Sequence, residues 1–155
     1  MNSKHLIILG DIAQRVRDLE LEGIGDRVVV MTLADDEKPE LSKLPAIALS
    51  PYGSETLERA TNATDDIGFP SLLVILDKAD QVQTLPELDR RLFWREQCFD
   101  HFQANRFSAP NGLAYHTTIE PQPIIDAGAW FGRNVYAGGF TIRAHYRNVR
   151  RSGNV

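Results

Sequence analysis

Cysteine is nearly absent from this sequence. Cys98 is the single copy in 155 residues, so the chain forms no internal disulfide and supplies no multi-cysteine zinc framework. A lone thiol agrees with a reducing compartment, and synthesis and use in a cytoplasm are the expectation. Long apolar runs are missing too. The longest, Leu72 to Leu76, has five residues, where a membrane-spanning helix needs about 20. The amino terminus offers one lysine, then Leu6 to Leu9, then Gly10 and Asp11. That stretch is too short and too soon charged for a signal peptide. What remains is ordinary: 43% hydrophobic and 25% charged residues, the balance of a globular domain. Folding at this length buries roughly two-thirds of the extended chain's surface. One domain over residues 1–155 is expected, with 148–155 as a flexible basic tail.

The net charge of −4 hides a division. From Pro123 onward five arginines (Arg133, Arg143, Arg147, Arg150 and Arg151) face one acid, Asp126, for a balance of +4, which leaves −8 on residues 1–122. Such asymmetry fits either a partner-facing tail or a solvated terminus.

Periodicity places the elements. Leu6, Leu9, Ile12, Val16 and Leu19 recur at spacings of three and four, predicting a helix over about 4–21 that Gly23 and Gly25 stop. Val28–Leu33 and Ala46–Leu49 read as strands. The acidic segment between them, with Asp35, Asp36, Glu37 and Glu40, reads as a solvent-projecting hairpin loop. Residues 50–67 show no convincing period. Ser71–Leu76 fits a central strand covered on both faces. Leu85-Pro86-Glu87 opens a second helix over about 86–105. Its apolar stripe is Leu88, Leu92, Phe99 and Phe102, with Arg90, Arg91, Arg95 and Asp100 largely off it. Leu113–Ile119 alternates as a fourth strand, closed by Pro121 and Pro123, and a loop then carries Trp130 and Phe131. Phe140, Ile142, Ala144 and Tyr146 alternate with Thr141, Arg143, His145 and Arg147, a half-buried antiparallel strand with a basic outer face. Gly138-Gly139 before it permits a bulge or bend. The order predicts an α+β fold: a mostly antiparallel sheet of four to five strands, two helices packed on one face, and long loops.

Chemistry-bearing patterns are sparse. Gly23-Ile24-Gly25 follows a helix and precedes a strand, the reverse of a phosphate-binding turn. Cys98 and His101 lie three apart on the second helix, but His5, His116 and His145 are far off in sequence, so no metal set converges. A buried cysteine beside an aromatic stripe is the commoner outcome. Asp35-Asp36 and Asp65-Asp66 are adjacent carboxylates, which point to opposite faces if on a strand and are solvated if in a loop. Asp77 and Asp80, just after the central strand, are better placed for a site, yet no partner motif supports them. Arg143 and Arg147 project to one face with His145 between them, and Arg150 and Arg151 extend the charge. That face suits either phosphate contact or protection of a strand edge.

An amphipathic first helix, strands separated by long polar loops, a second helix with leucine and aromatic anchors, and a closing strand reading Gly139-Phe140-Thr141-Ile142-Arg143-Ala144-His145-Tyr146-Arg147 together resemble the tail-terminator (tail-completion) proteins of long-tailed bacteriophages. The resemblance implies an α+β subunit of a homohexameric ring at the neck of the virion. Such a ring caps the tail tube, ends its polymerisation and joins the head-side connector or stopper protein. It also implies no catalytic residue, metal or cofactor. Genomic DNA would pass through the lumen without sequence-specific binding, past six copies carrying −24 in total at −4 each. Expected interface residues are Asp35, Asp36, Glu37, Glu40, Trp130, Phe131, Arg143, Arg147, Arg150 and Arg151. The alternatives are another neck component such as a head-completion protein, a small enzyme using Asp77 and Asp80 or Cys98, and a nucleic-acid-binding module using the four terminal arginines.

Overall fold

The computed structural model describes residues 3–31, 44–78, 85–104, 113–122, 124 and 135–150. Its fold is α+β, as the periodicity predicts. Helix α1 (Lys4–Asp18) starts at Ser3, whose extended backbone makes it the cap, and closes with Arg15 and Arg17 in the last turn, where cations oppose the helix dipole. Leu9, Ile12 and Val16 are buried as their spacing requires, but the stripe is rotated. Ile8 and Ala13 complete it, and Leu6 turns to solvent at 60% exposure.

Among the described residues the sheet has six strands: β1 (Val28–Val30), β2 (Ala46–Pro51), β3 (Thr56–Arg59), β4 (Thr64–Lys78), β5 (Ala114–Pro121) and β6 (Val135–Val149). Their order is β1-β2-β4-β6-β5, with β3 also on β4. Strands β4 and β6 form an antiparallel spine, in register from Thr64 opposite Val149 to Lys78 opposite Val135. Fifteen residues each correspond to about 50 Å of extended chain at about 3.4 Å per residue. The other side of β4 is shared, with β2 pairing residues 71–76 and β3 pairing residues 65–68.

Several expectations are corrected. Strands β1 and β2 pair in parallel, Val28 opposite Ile47, so the segment joining them does not close a hairpin. The stretch 50–67 contains β3 and the start of β4, which raises the strand count to six. Its missing period has a cause: every residue of β3 is exposed on both faces. Leu73 and Ile75 are fully buried, but Leu72, Val74 and Leu76 are only half-buried, so the spine is not equally covered on its two faces. Register runs unbroken through Gly138-Gly139. A Cβ on Gly139 would fall inside the van der Waals shell of the Leu73 carbonyl, so close strand approach, not a bend, demands glycine there. The bulge lies instead in β5, at Tyr115. Strand β6 also takes in Asn148 and Val149, the first residues of the expected tail.

Helix α2 (Leu85–Ala104) buries Arg91, Trp94, Cys98 and Phe102. The predicted stripe is thus rotated: Leu88 is exposed, while Arg91, assigned to the solvent side, is 2% exposed. Trp94 anchors the helix, donating from Nε1 to the Glu22 carbonyl at 3.0 Å. Side chains of α1 and α2 meet Ile47, Leu49, Leu73, Ile75, Phe140 and Ile142 in one core. Strand alternation puts these six on one face of the sheet, so both helices cover that face, as expected.

Each edge left unpaired among the described residues is blunted in its own way. On β1 the Val28 carbonyl accepts from Arg17 at 2.6 Å. Strand β3 ends in Glu58-Arg59, and β5 carries the Tyr115 bulge and Pro121.

Candidate interaction surface on the helix-free face

The face of the sheet opposite the helices carries a polar half built from β3, β4, β6 and β5. Register places Glu58, Asp66 and Arg147 in one cross-strand row. The next row holds Gly68 opposite His145, and His145 opposite His116. Arg143 and Thr118 follow one pair further along. Arg143, His145 and Arg147 therefore share a face as their alternation predicts. The face is not simply basic, because acids from neighbouring strands fill the gaps between the cations.

Arg143 shows how completely a predicted interface residue can be used inside the fold. Its Nε donates to Glu120 at 2.6 Å, and one terminal nitrogen donates to the carbonyls of Ser54 at 3.0 Å and Gly68 at 3.2 Å. To reach Ser54 the side chain crosses β4 over Gly68, where an added Cβ would meet Arg143 Cδ and Thr56 Oγ1. The missing side chain at Gly68 is the channel for the guanidinium. Arg150 plays a similar part, with a terminal nitrogen on the Thr61 carbonyl at 2.6 Å and Nε 3.5 Å from Asp65. These two arginines, together with His5 paired to Glu55 at 2.9 Å, fasten the otherwise exposed β3 and the turn after it. Arg147 stays exposed, its guanidinium 5.5 Å from the Tyr115 ring centre. Asp35, Asp36, Glu37, Glu40, Trp130, Phe131 and Arg151 lie outside the described residues.

The histidines change most between sequence and structure. His116 and His145 stack with ring centres 4.2 Å apart and planes 6° from parallel. The bulge lets Tyr115 and His116 both face outward. Tyr115 then spans β6 to donate to Asp66 at 2.6 Å. Thr118 Oγ1 lies 3.0 Å from His145 Nε2, and Asp66 lies 3.9 Å from His145 Nδ1. Burial above all holds the His145 pKa below the usual imidazole value; His116 and Arg143 push the same way, while Asp66 and Glu58 oppose. Burial and the bond to Asp66 raise Tyr115. Among the described residues, no three His, Cys, Asp or Glu converge as a metal site. The only signal in the sequence was that both histidines fall on the polar side of an alternating strand.

Two of the catalytic candidates, Asp77 and Cys98, are occupied elsewhere. Asp77 accepts from Arg91 Nε at 2.8 Å and from the Lys78 amide at 2.8 Å, with Arg90 at 3.4 Å. Arg91 also donates to the Lys78 carbonyl at 2.6 Å and lies over the Tyr136 ring at 4.9 Å. The pair joins α2 to the end of β4 inside the protein. Cys98 is 0% exposed, and burial pushes its thiol up to about 12, which leaves no thiolate at neutral pH. His101 is half-buried, its ring edge-on to Phe102 at 5.0 Å between centres. Asp65 and Asp66 lie on β4 and diverge to opposite faces, one toward Arg150 and the other toward Tyr115. Asp80 lies outside the described residues. No described helix is long and apolar enough to cross a membrane. No protein-family model matches the chain, and no curated protein matches it significantly.

Proposed function

We propose that this chain is a structural subunit of the tail-terminator type. Six copies form a ring that caps a phage tail tube, ends its polymerisation and meets the head-side connector. The observation that carries this reading is the one-sided architecture: both helices cover one face of a sheet with a long two-stranded spine, and the polar half of the other face is left for contacts. The blunted edges favour association through faces and loops over strand addition. Of the residues named for the competing classes, Asp77 is taken up by an ion pair, Cys98 by the core, and Arg143 and Arg150 by fastening β3, while Arg147 stays exposed. The exposed β3, a projection beyond a minimal core, favours a second reading as another neck component such as a head-completion protein. In both readings the chain works within the virion neck and needs no cofactor.

Light scattering on the chromatographed protein, alone and mixed with tail tube protein, tests the proposal. The expected result is a hexameric mass, or hexamers that appear on tube ends and limit tube length in electron micrographs. A persistent monomer that leaves tube growth unlimited overturns it. A ring that binds the connector but ignores tubes selects the second reading.

A further inference from the structure

We propose that the stacked His116–His145 pair is a proton-operated latch that holds the amino-terminal half of β5 on the sheet at neutral pH and releases it in acid. Four side chains from three strands make the latch. Tyr115 and His116 come from β5, His145 from β6 and Asp66 from β4, so the group bridges the sheet across β6 at its end. Among the described residues β5 ends the sheet and pairs with β6 alone, and the bulge at Tyr115 already weakens its ladder there. On this face the Thr118 hydroxyl on His145 and the ring of Tyr115 against His116 at 4.4 Å also hold residues 114–118, and on the helix face the Thr117 hydroxyl donates to the Phe102 carbonyl at 2.6 Å and Ala114 is buried.

The charged and titratable groups facing the pair are Glu58 from β3, Asp66 from β4, Arg143 and Arg147 from β6, and Tyr115 and Glu120 from β5. A proton on His145 draws Nδ1 toward Asp66, because an imidazolium and a carboxylate attract, and it competes with Tyr115 for that carboxylate. Protons on both rings place two like charges 4.2 Å apart. Arg143 and Arg147 add to the repulsion, and one Asp66 cannot neutralise both rings. The stack opens, and β5 carries its half away. What then lies bare is the edge of β6 near Ala144–Arg147, an unpaired strand ready for another chain. This inference is independent of ring formation.

Hydrogen exchange on the full chain at about pH 7.5 and about pH 5, corrected for intrinsic rates, reads the latch directly. The β5 amides are expected to exchange at least about tenfold faster in acid, the equivalent of about one pK unit of coupling between the rings. Strand β2 and residues 71–76 of β4 should keep their protection. His116→Phe keeps a stacking ring without the second charge, and its β5 should stay protected in acid. Equal β5 protection at both pH values, the same acceleration in His116→Phe, or opening of all strands together overturns the proposal. If that variant fails to fold, NMR titration of the two imidazoles in the native chain decides. Two steps, the second lowered by more than about one unit, support the latch, and two independent titrations near the ordinary value overturn it.

Discussion

Arg91 sits among apolar side chains on α2 because three partners satisfy it at once: the Asp77 carboxylate, the Lys78 carbonyl and the face of Tyr136. A buried charge left alone is far costlier than a pair removed together. Asp77→Ala and Arg91→Ala are each expected to lower unfolding free energy by about 3–5 kcal/mol in urea titrations, while the Asp77→Leu/Arg91→Met double variant should recover most of it. Sequence spacing placed Arg91 off the apolar stripe because a charged residue counts as polar whatever it meets. Its partner lies 14 residues away on another element. Cys98 was easier to foresee, since a lone thiol beside aromatic positions most often packs as a small hydrophobe. With its thiol pushed up to about 12, Cys98 should resist a disulfide reagent in native buffer at neutral pH and react at once in denaturant. Rapid native labelling would contradict the burial.

At the scale of elements, sequence alternation finds the middle of β6, Phe140–Arg147, and stops short of both its ends. Alternation marks only the part of a strand whose two faces differ, and Val135–Gly139 is buried on both. Strand β3 left no trace in the sequence pattern because neither of its faces is buried. It is held by Arg143 reaching across Gly68, by Arg150 and by His5. Gly68→Ala should therefore push Arg143 from its channel and destabilise the protein by about 1–3 kcal/mol, the usual cost of overpacking. Limited proteolysis should report it as faster cleavage within residues 52–63 in the variant, with cleavage elsewhere unchanged.

For the whole molecule, the separation of an acidic body from a basic carboxy-terminal part is real in sequence and blurred in space. Glu120 meets Arg143, Asp65 meets Arg150, and Asp66 lies opposite Arg147. Surface charge therefore varies from strand to strand, and a ring built from this subunit would show mixed charge on this face. Acid should weaken the fold. His145 and His101 both have folded-state pKa values below the ordinary 6.5, chiefly through burial. The unfolded chain thus binds their protons first, so stability is full above about pH 6.5 and is lost as pH falls from there toward the folded-state values. Urea midpoints should drop between about pH 7.5 and about pH 5.5, and His145→Gln should flatten part of that slope. A midpoint that rises in acid would contradict the burial of these rings.

The residues by themselves determined the fold class, the single buried thiol and the approximate place of both helices and of strands β1, β2, β4, β5 and β6. Each of those follows from a local period of 3.6 or 2 that neighbouring residues impose on one another. Only the tertiary structure decided the parallel pairing of β1 with β2, the burial of Arg91, the passage of Arg143 over Gly68, and the meeting of His116 with His145 across 29 positions of sequence. Those contacts depend on which strand lies beside which, and in what register. Hydrophobic periodicity is blind to that choice, because it records which side of an element is buried and nothing about the neighbour that buries it.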